Sequence, residues 1–273
     1  MKKPAITDPR KELVKFFEHG IGHRHTWDVF ADFCQLAATS VANSVDLRPC
    51  REKREADYLQ IAGQYTPDQM TGFMQALANL VNSLEMGFDD VLGRTFHQLE
   101  LHNKWVGQYF TPYPLCQGMA QLTFDADSTR QVIAKRRFIT VSEPASGSGA
   151  MVIALAEAMF NQGINFQEHC HVTAVDVDFR CVMMTYLQLS LLGVPAVVVH
   201  GNTLTLEEWS HWYTPLHIVG GWNARLRGQR SMSDAFRALL MLETSEPGEG
   251  KAERENDEPA VIQVGKNGQL LMF

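Results

Sequence analysis

The sequence predicts an α/β fold, a parallel sheet interleaved with helices and preceded by a helical N-terminal region. Three observations carry that expectation. Residues 9 to about 105 repeat apolar side chains at three-and-four spacing, the signature of amphipathic helices. After Gln108, short β-rich runs alternate with helical ones, an order that calls for parallel strands covered on both faces. The chain of 273 residues is 45% hydrophobic, enough for one large or two small domains with a packed core.

Three stretches make the helical case in turn: LVKFFEHGI (13–21), TWDVFADFCQLAATSVAN (26–43) and DQMTGFMQALANLVNSLEM (68–86), with Thr66-Pro67-Asp68 as the start signal of the last. The strands begin with FITVS (Phe138 to Ser142), which a glycine turn joins to the helix AMVIALAEAM. HVTAV (His171 to Val175) leads into FRCVMMTYLQLSLLG. AVVVH (Ala196 to His200), a short EEW segment and a fourth strand LHIV (Leu216 to Val219) complete the alternation. Ligands of such sheets bind at the carboxyl ends of the strands, so function is expected in the loops that follow them.

Composition excludes several classes. No apolar run approaches the ~20 residues of a membrane span, and MKKPAITDPRKEL lacks the apolar stretch of a signal peptide, so a cytoplasmic protein is expected. Five cysteines without a CxxC pair suggest buried free thiols, and the scattered histidines, His23 and His25 among them, suggest no metal site. Much of the net charge of −7 is local: between Glu243 and Glu258 seven acids stand against Lys251 and Arg254. That segment is nearly devoid of apolar residues and reads as a flexible linker. The expected organisation is a helical region (1–105), an α/β core (106–242), an acidic linker (243–259) and a C-terminal strand or docking peptide (260–273).

Chemistry is expected in four loops. In EPASGSGA (143–150), Gly147 and Gly149 let backbone approach a ligand, and the following helix start offers free N–H groups. Asp176, directly after HVTAV, can accept from both hydroxyls of a ribose. In HGNTL (200–204), Asn202 can pair with an adenine edge through its amide. Upstream, GQYFTPYPLCQGM (107–119) holds an extended segment with a threonine hydroxyl, or simply a proline-bounded helix entry.

In this order the pieces resemble the adenine-specific N6 DNA methyltransferases, and most nearly the methylation subunits of type I restriction-modification systems. DVLGRTFHQLELHNKWVGQYFTP (90–112) is similar to that family's approach to its GxFxTP motif, and EPASGSG to its [DE]PAxGSG motif; TAVDVD and HGNTL continue the correspondence over roughly residues 88 to 220. The resemblance implies a Rossmann-like fold, its parallel sheet truncated, and S-adenosyl-L-methionine as cofactor. It assigns Thr111, Pro112 and nearby backbone to the methionine carboxylate, and Glu143 with Ala145, Gly147 and Gly149 to the amino end. Asp176 falls to the ribose and Asn202, where the family commonly has aspartate, to the adenine.

After its fourth strand the family carries [ND]PP[FY], whose acceptors bind the exocyclic amino hydrogens of a flipped adenine while the aromatic ring stacks on the base. In HIVGGWNARL (217–226) the aligned residues are Gly221, Trp222, Asn223 and Ala224, without either proline. Trp222 and Asn223 are the catalytic candidates in this degenerate turn, with core packing as the alternative for Trp222. Arginines 225, 227, 230 and 237 are candidate phosphate contacts for DNA, which would need a partner for sequence specificity. QLLMF (Gln269 to Phe273) is either a fifth strand after a KNG turn or, by resemblance to a QLxLF peptide, a docking peptide for the replication sliding clamp. Three readings stay open: an adenine methyltransferase with an altered turn, a silent relative that binds DNA or a partner, and a methyltransferase for another substrate.

Overall fold

Side-chain caps start three of the N-terminal helices. In the computed structural model, which describes residues 8–19, 21–22, 24–99, 110–229 and 269–271, Asp8 caps α1 (Pro9–Glu18). Next come α2 (Thr26–Val45) and α3 (Cys50–Ala62). Thr66 and Gln69 form a reciprocal capping box for α4 (Pro67–Glu85), whose first position is the helix-compatible Pro67. Asp90 then caps α5 (Val91–Gln98) by accepting from the Gly93 N–H. Before the sheet begins, α6 (Tyr113–Thr123) follows the Thr111-Pro112 entry, and α7 (Ala126–Arg136), a helix of few buried residues, follows Asp125.

Three strands pair in parallel: β1 (Ile139–Glu143), β2 (Cys170–Asp176) and β3 (Ala196–Asn202). Between them run α8 (Ala150–Asn161), the short α9 (Phe166–His169) and α10 (Phe179–Leu191). The α/β class with a helical N-terminal region is therefore what the chain adopts. One buried cluster runs from Leu13 and Phe33 in the N-terminal helices through Val141, Ala174 and Val198 of the strands, and α10 packs on α2 as well as on β2 and β3. Four of the five cysteines lie buried in this interior; Cys50 is exposed. No helix among the described residues is long and apolar enough to cross a membrane.

The sheet departs from expectation at both edges. Glu207–Tyr213, which contains EEW, is a strand, β4, and it returns antiparallel to β3, so the sheet is mixed rather than purely parallel. LHIV is not a strand but most of a one-turn helix, α11 (Pro215–Val219). Pro215 presets the helical φ at the first position. Just before it, Thr214 is pinned to the start of β3, its Oγ1 accepting from the Ala196 N–H and donating to the Val194 carbonyl, both at 2.8 Å. A four-residue apolar run cannot by itself distinguish strand from helix. The place beside β1 is taken instead by Gln269–Leu271, β5, in parallel register with Thr140–Ser142. The spatial order is β4-β3-β2-β1-β5, with Gln269–Leu271 as an edge strand; Met272 and Phe273 lie outside the described residues. The acidic segment 243–259 lies outside the described residues.

Candidate cofactor site

Because β2 and β3 extend to one side of β1 and β5 to the other, the chain reverses direction across the sheet at β1. The crevice at the carboxyl end of such a strand is where open α/β sheets bind ligands. Here that position is occupied by Glu143-Pro144-Ala145-Ser146-Gly147-Ser148, which lines a cleft of about 240 Å³ together with Phe110, Thr111, Cys116, Met119, Ala150 and Met151. Four predicted residues, Thr111, Glu143, Ala145 and Gly147, thus share one cleft. Pro112 is the N-cap of α6 beside it, and Gly149 the N-cap of α8.

The glycine turn has a conformational reason. Gly147 sits at φ 55°, and a Cβ there would come within 3.0 Å of the Phe110 ring. Gly149 has φ 93° and supplies no side-chain cap, so the first N–H groups of α8 open toward the cleft with their positive dipole end. Asp176 is drawn to the same turn: its Oδ2 accepts from the Gly147 N–H at 2.8 Å and its Oδ1 from the Asp178 N–H at 2.8 Å. With the Val177 N–H as a third donor to the same carboxylate, one lone pair of Asp176 is left for a ligand hydroxyl.

Electrostatics mark Glu143. The residue is 7% exposed, and its carboxyl accepts from the Ala145 N–H at 3.0 Å. Burial pushes its pKa up to about 7; the Ala145 N–H opposes that, and the Asp176 carboxylate adds to it. Burial also raises Asp176, against the N–H groups of Asp178 and Gly147. Two carboxylates at one glycine turn make a site that favours a cation.

Asn202 ends β3, but its Oδ1 already accepts from the N–H groups of Leu204 and Thr205 in its own turn. The amide NH₂ is the part left to offer a ligand. Its neighbour Thr203 ties this loop to the glycine turn by donating to the Pro144 carbonyl at 2.7 Å.

A buried polar network behind the turn has no obvious local signal in the sequence. Ser148 Oγ donates to Asp90 Oδ2 at 2.6 Å, and Gln188 Nε2 donates to both Asp90 Oδ1 and the Ser148 carbonyl at 2.8 Å. Gln188 Oε1 accepts from the Leu92 N–H at 3.0 Å, while Thr185 donates to the Gly147 carbonyl at 2.9 Å. Gly93 is required here, since a Cβ would collide with the Asp90 carboxylate. The network binds α5 and α10 to the turn. Thr185 and Gln188, polar and wholly buried among the apolar residues of α10, are the clue the sequence offers.

The catalytic candidates are elsewhere. Trp222 is fully buried, edge-on to Phe138 at 5.0 Å and tilted on His171 at 5.2 Å. Phe138 precedes β1 and His171 lies near the start of β2, so this is the amino end of the sheet, about 16 Å of strand from the glycine turn. Of the two roles weighed for Trp222, packing is the one it performs. Asn223, exposed beside it, is equally remote from the cleft. Arg225 stacks on Trp222 at 3.7 Å and donates to the Glu168 carbonyl, so it is a packing residue as well; Arg227 is exposed, and Arg230 and Arg237 lie outside the described residues.

No family model matches this sequence, and no curated protein matches it. A solved structure from Listeria monocytogenes, provisionally described as a class I S-adenosylmethionine-dependent methyltransferase, is similar at 12% identity with a TM-score of 0.37. The similarity covers 72% of this chain and 54% of the other, so this chain spans about half the length of that protein. The fold assignment rests on the strand order and register above.

Proposed function

We propose that this protein binds S-adenosyl-L-methionine at the cleft after β1 and descends from DNA adenine N6-methyltransferases. The observation that carries the reading is the closure of the glycine turn onto Asp176, with Glu143 buried beneath it and Thr111 across the cleft. The donor set fits the cofactor. Glu143 suits the cationic amino end, the uncapped start of α8 and the Thr111 segment suit the carboxylate, and Asp176 suits a ribose hydroxyl. Bound there, the cofactor would supply an electrophilic methyl group.

Transfer to adenine also needs acceptors for the amino hydrogens, and an aromatic face for the flipped base, near that methyl group. Trp222 and Asn223 stand at the other end of the sheet. This favours the reading of a cofactor-binding protein that does not methylate adenine through its GGWN turn. DNA, or a partner that supplies the acceptors and the sequence reading, belongs to the same proposal.

Calorimetry with S-adenosyl-L-methionine, paired with transfer of labelled methyl to unmethylated DNA by the same preparation, tests both parts. Saturable binding without transfer is expected. No binding would overturn the cofactor assignment, and transfer lost in Asn223→Ala while binding persists would overturn the silent reading.

A further inference from the structure

The stretch HIVGGWNARL is left unused by the cofactor cleft, yet it is the most specifically built segment at the far end of the sheet. Thr214 anchors its start, as described above. Gly220 has no room for a side chain, since a Cβ would meet the Leu216 carbonyl at 2.6 Å and the Trp222 ring at 3.0 Å. Gly221 then turns the chain at φ 63° into the helical residues 222–229. Trp222 locks the segment onto Phe138 and His171.

What that construction holds in place is a second cleft. His217, Ile218, Gly221, Asn223, Ala224 and Arg227 line one side of a cavity of about 540 Å³, a volume suited to a small molecule. Facing them are Tyr213 from β4 and residues 45–48 from the end of α2 onward. Tyr213 pairs with Val197 near the start of β3, which places the cavity at the amino end of the sheet, opposite the cofactor cleft.

Its charged lining is Arg48 and Arg227 with the Asp46 carboxylate between donors. Arg48 lies over the Tyr213 ring at 3.8 Å and binds Asp46 through Nε at 2.8 Å. Arg54, outside the lining, pairs with the same carboxylate, so Asp46 is neutralised and Arg227 is left to meet an anion. The asparagine contributes an amide. His217 is the buried member: it is 1% exposed, and with Nδ1 taken up by His171 its remaining side-chain hydrogen-bond partner is Asn223. Its Nδ1 is engaged by His171 Nε2 at 2.8 Å, which fixes the ring with Nε2 as its remaining polar atom. The ring borders the cavity, so a ligand group that takes the place of the Asn223 side chain can complete its hydrogen bonding.

The geometry points to a second binding site, for a small molecule whose carboxylate or phosphate group is held by Arg227, Asn223 and the His217 ring. The Tyr213 ring and the apolar Val45 and Ile218 suit the remainder of such a molecule. The inference does not depend on what the first cleft binds.

Histidine ring resonances of the full chain, followed by NMR at constant pH during separate titrations with inorganic phosphate and with acetate, test it. The His217 and His171 signals should shift saturably with at least one of the two, with affinity on the order of millimolar for a bare anion, and the tighter probe identifies the headgroup. Arg227→Glu, an exposed substitution that leaves the fold intact, should weaken that binding by about tenfold or more. Absence of a saturable shift with both anions would overturn the site. So would an unchanged affinity in Arg227→Glu, or a response to a short DNA duplex alone.

Discussion

Gln188 and Asp90 stand 98 residues apart in the chain, yet Nε2 of the first donates to Oδ1 of the second at 2.8 Å in the fully buried space behind the glycine turn. That contact explains why the helical N-terminal region and the sheet share one interior. Asp90 simultaneously caps α5 and receives Ser148, so the start of one helix and the floor of the glycine turn rest on a single carboxylate. Buried polar networks of this kind stabilise only when every member is satisfied.

Gln188→Ala should therefore destabilise the protein by about 1–3 kcal/mol, since it strands the Leu92 N–H and one lone pair of Asp90. Urea unfolding measures this. Combined with Ser148→Ala, the loss should be clearly less than the sum of the two, because both substitutions break the same network. Strict additivity would contradict the coupling.

Asp176→Asn keeps the shape of the side chain but removes its charge and half of its accepting capacity. Affinity for S-adenosyl-L-methionine should fall by roughly 10–100-fold in calorimetry, as expected for a hydrogen bond to a charged group. Asn202→Ala should cost less, because Asn202 Oδ1 serves its own turn. Unaltered binding by the Asp176 variant would remove the ribose site from this position.

Cofactor affinity should depend on pH through Glu143. Its carboxyl, raised by burial to about 7, is half protonated there in the ligand-free protein, whereas the cationic amino end selects the ionised form. Affinity should thus decline below pH 7, by up to about tenfold per unit, and level off above it. The same shift has an opposite signature in stability. Between the ordinary 4.5 and about 7 the folded state binds the extra proton, so this group's contribution to stability is lost as pH rises through that window. In Glu143→Gln the affinity profile should be flat; a retained slope would place the titrating group elsewhere.

Trp222→Ala should cost about 3–5 kcal/mol of stability, as for other fully buried large aromatics. At temperatures where the variant remains folded, its affinity for S-adenosyl-L-methionine should match that of the parent. A variant as stable as the parent, but deficient in methyl transfer, would restore Trp222 as a base-stacking residue.

Much of the candidate cleft and of the helices is legible in the sequence because the signals are local. Gly147 and Gly149 announce positive φ, Asp176 directly follows a β-branched run, and Thr66 with Gln69 spells out a helix start within four residues. Asn202 was located correctly at its strand end, but its carbonyl is committed to its own turn, which residue type alone does not reveal. The GGWN turn was misplaced for a different reason. As the turn after a fourth strand LHIV it takes the catalytic position; folded, LHIV is helical and the chain has already left the sheet through Pro215.

By itself, then, the sequence determined the helical N-terminal region, the three central parallel strands and the glycine turn, because period, capping and the φ of glycine are properties of a few adjacent residues. Only the tertiary structure decided which apolar run pairs with β1, that Gln188 reaches Asp90, and that Trp222 and His217 are enclosed at the amino end of the sheet. LHIV and QLL are equally plausible strands when read locally. The choice between them is made by pairing and burial across more than a hundred residues of chain, which no local pattern encodes.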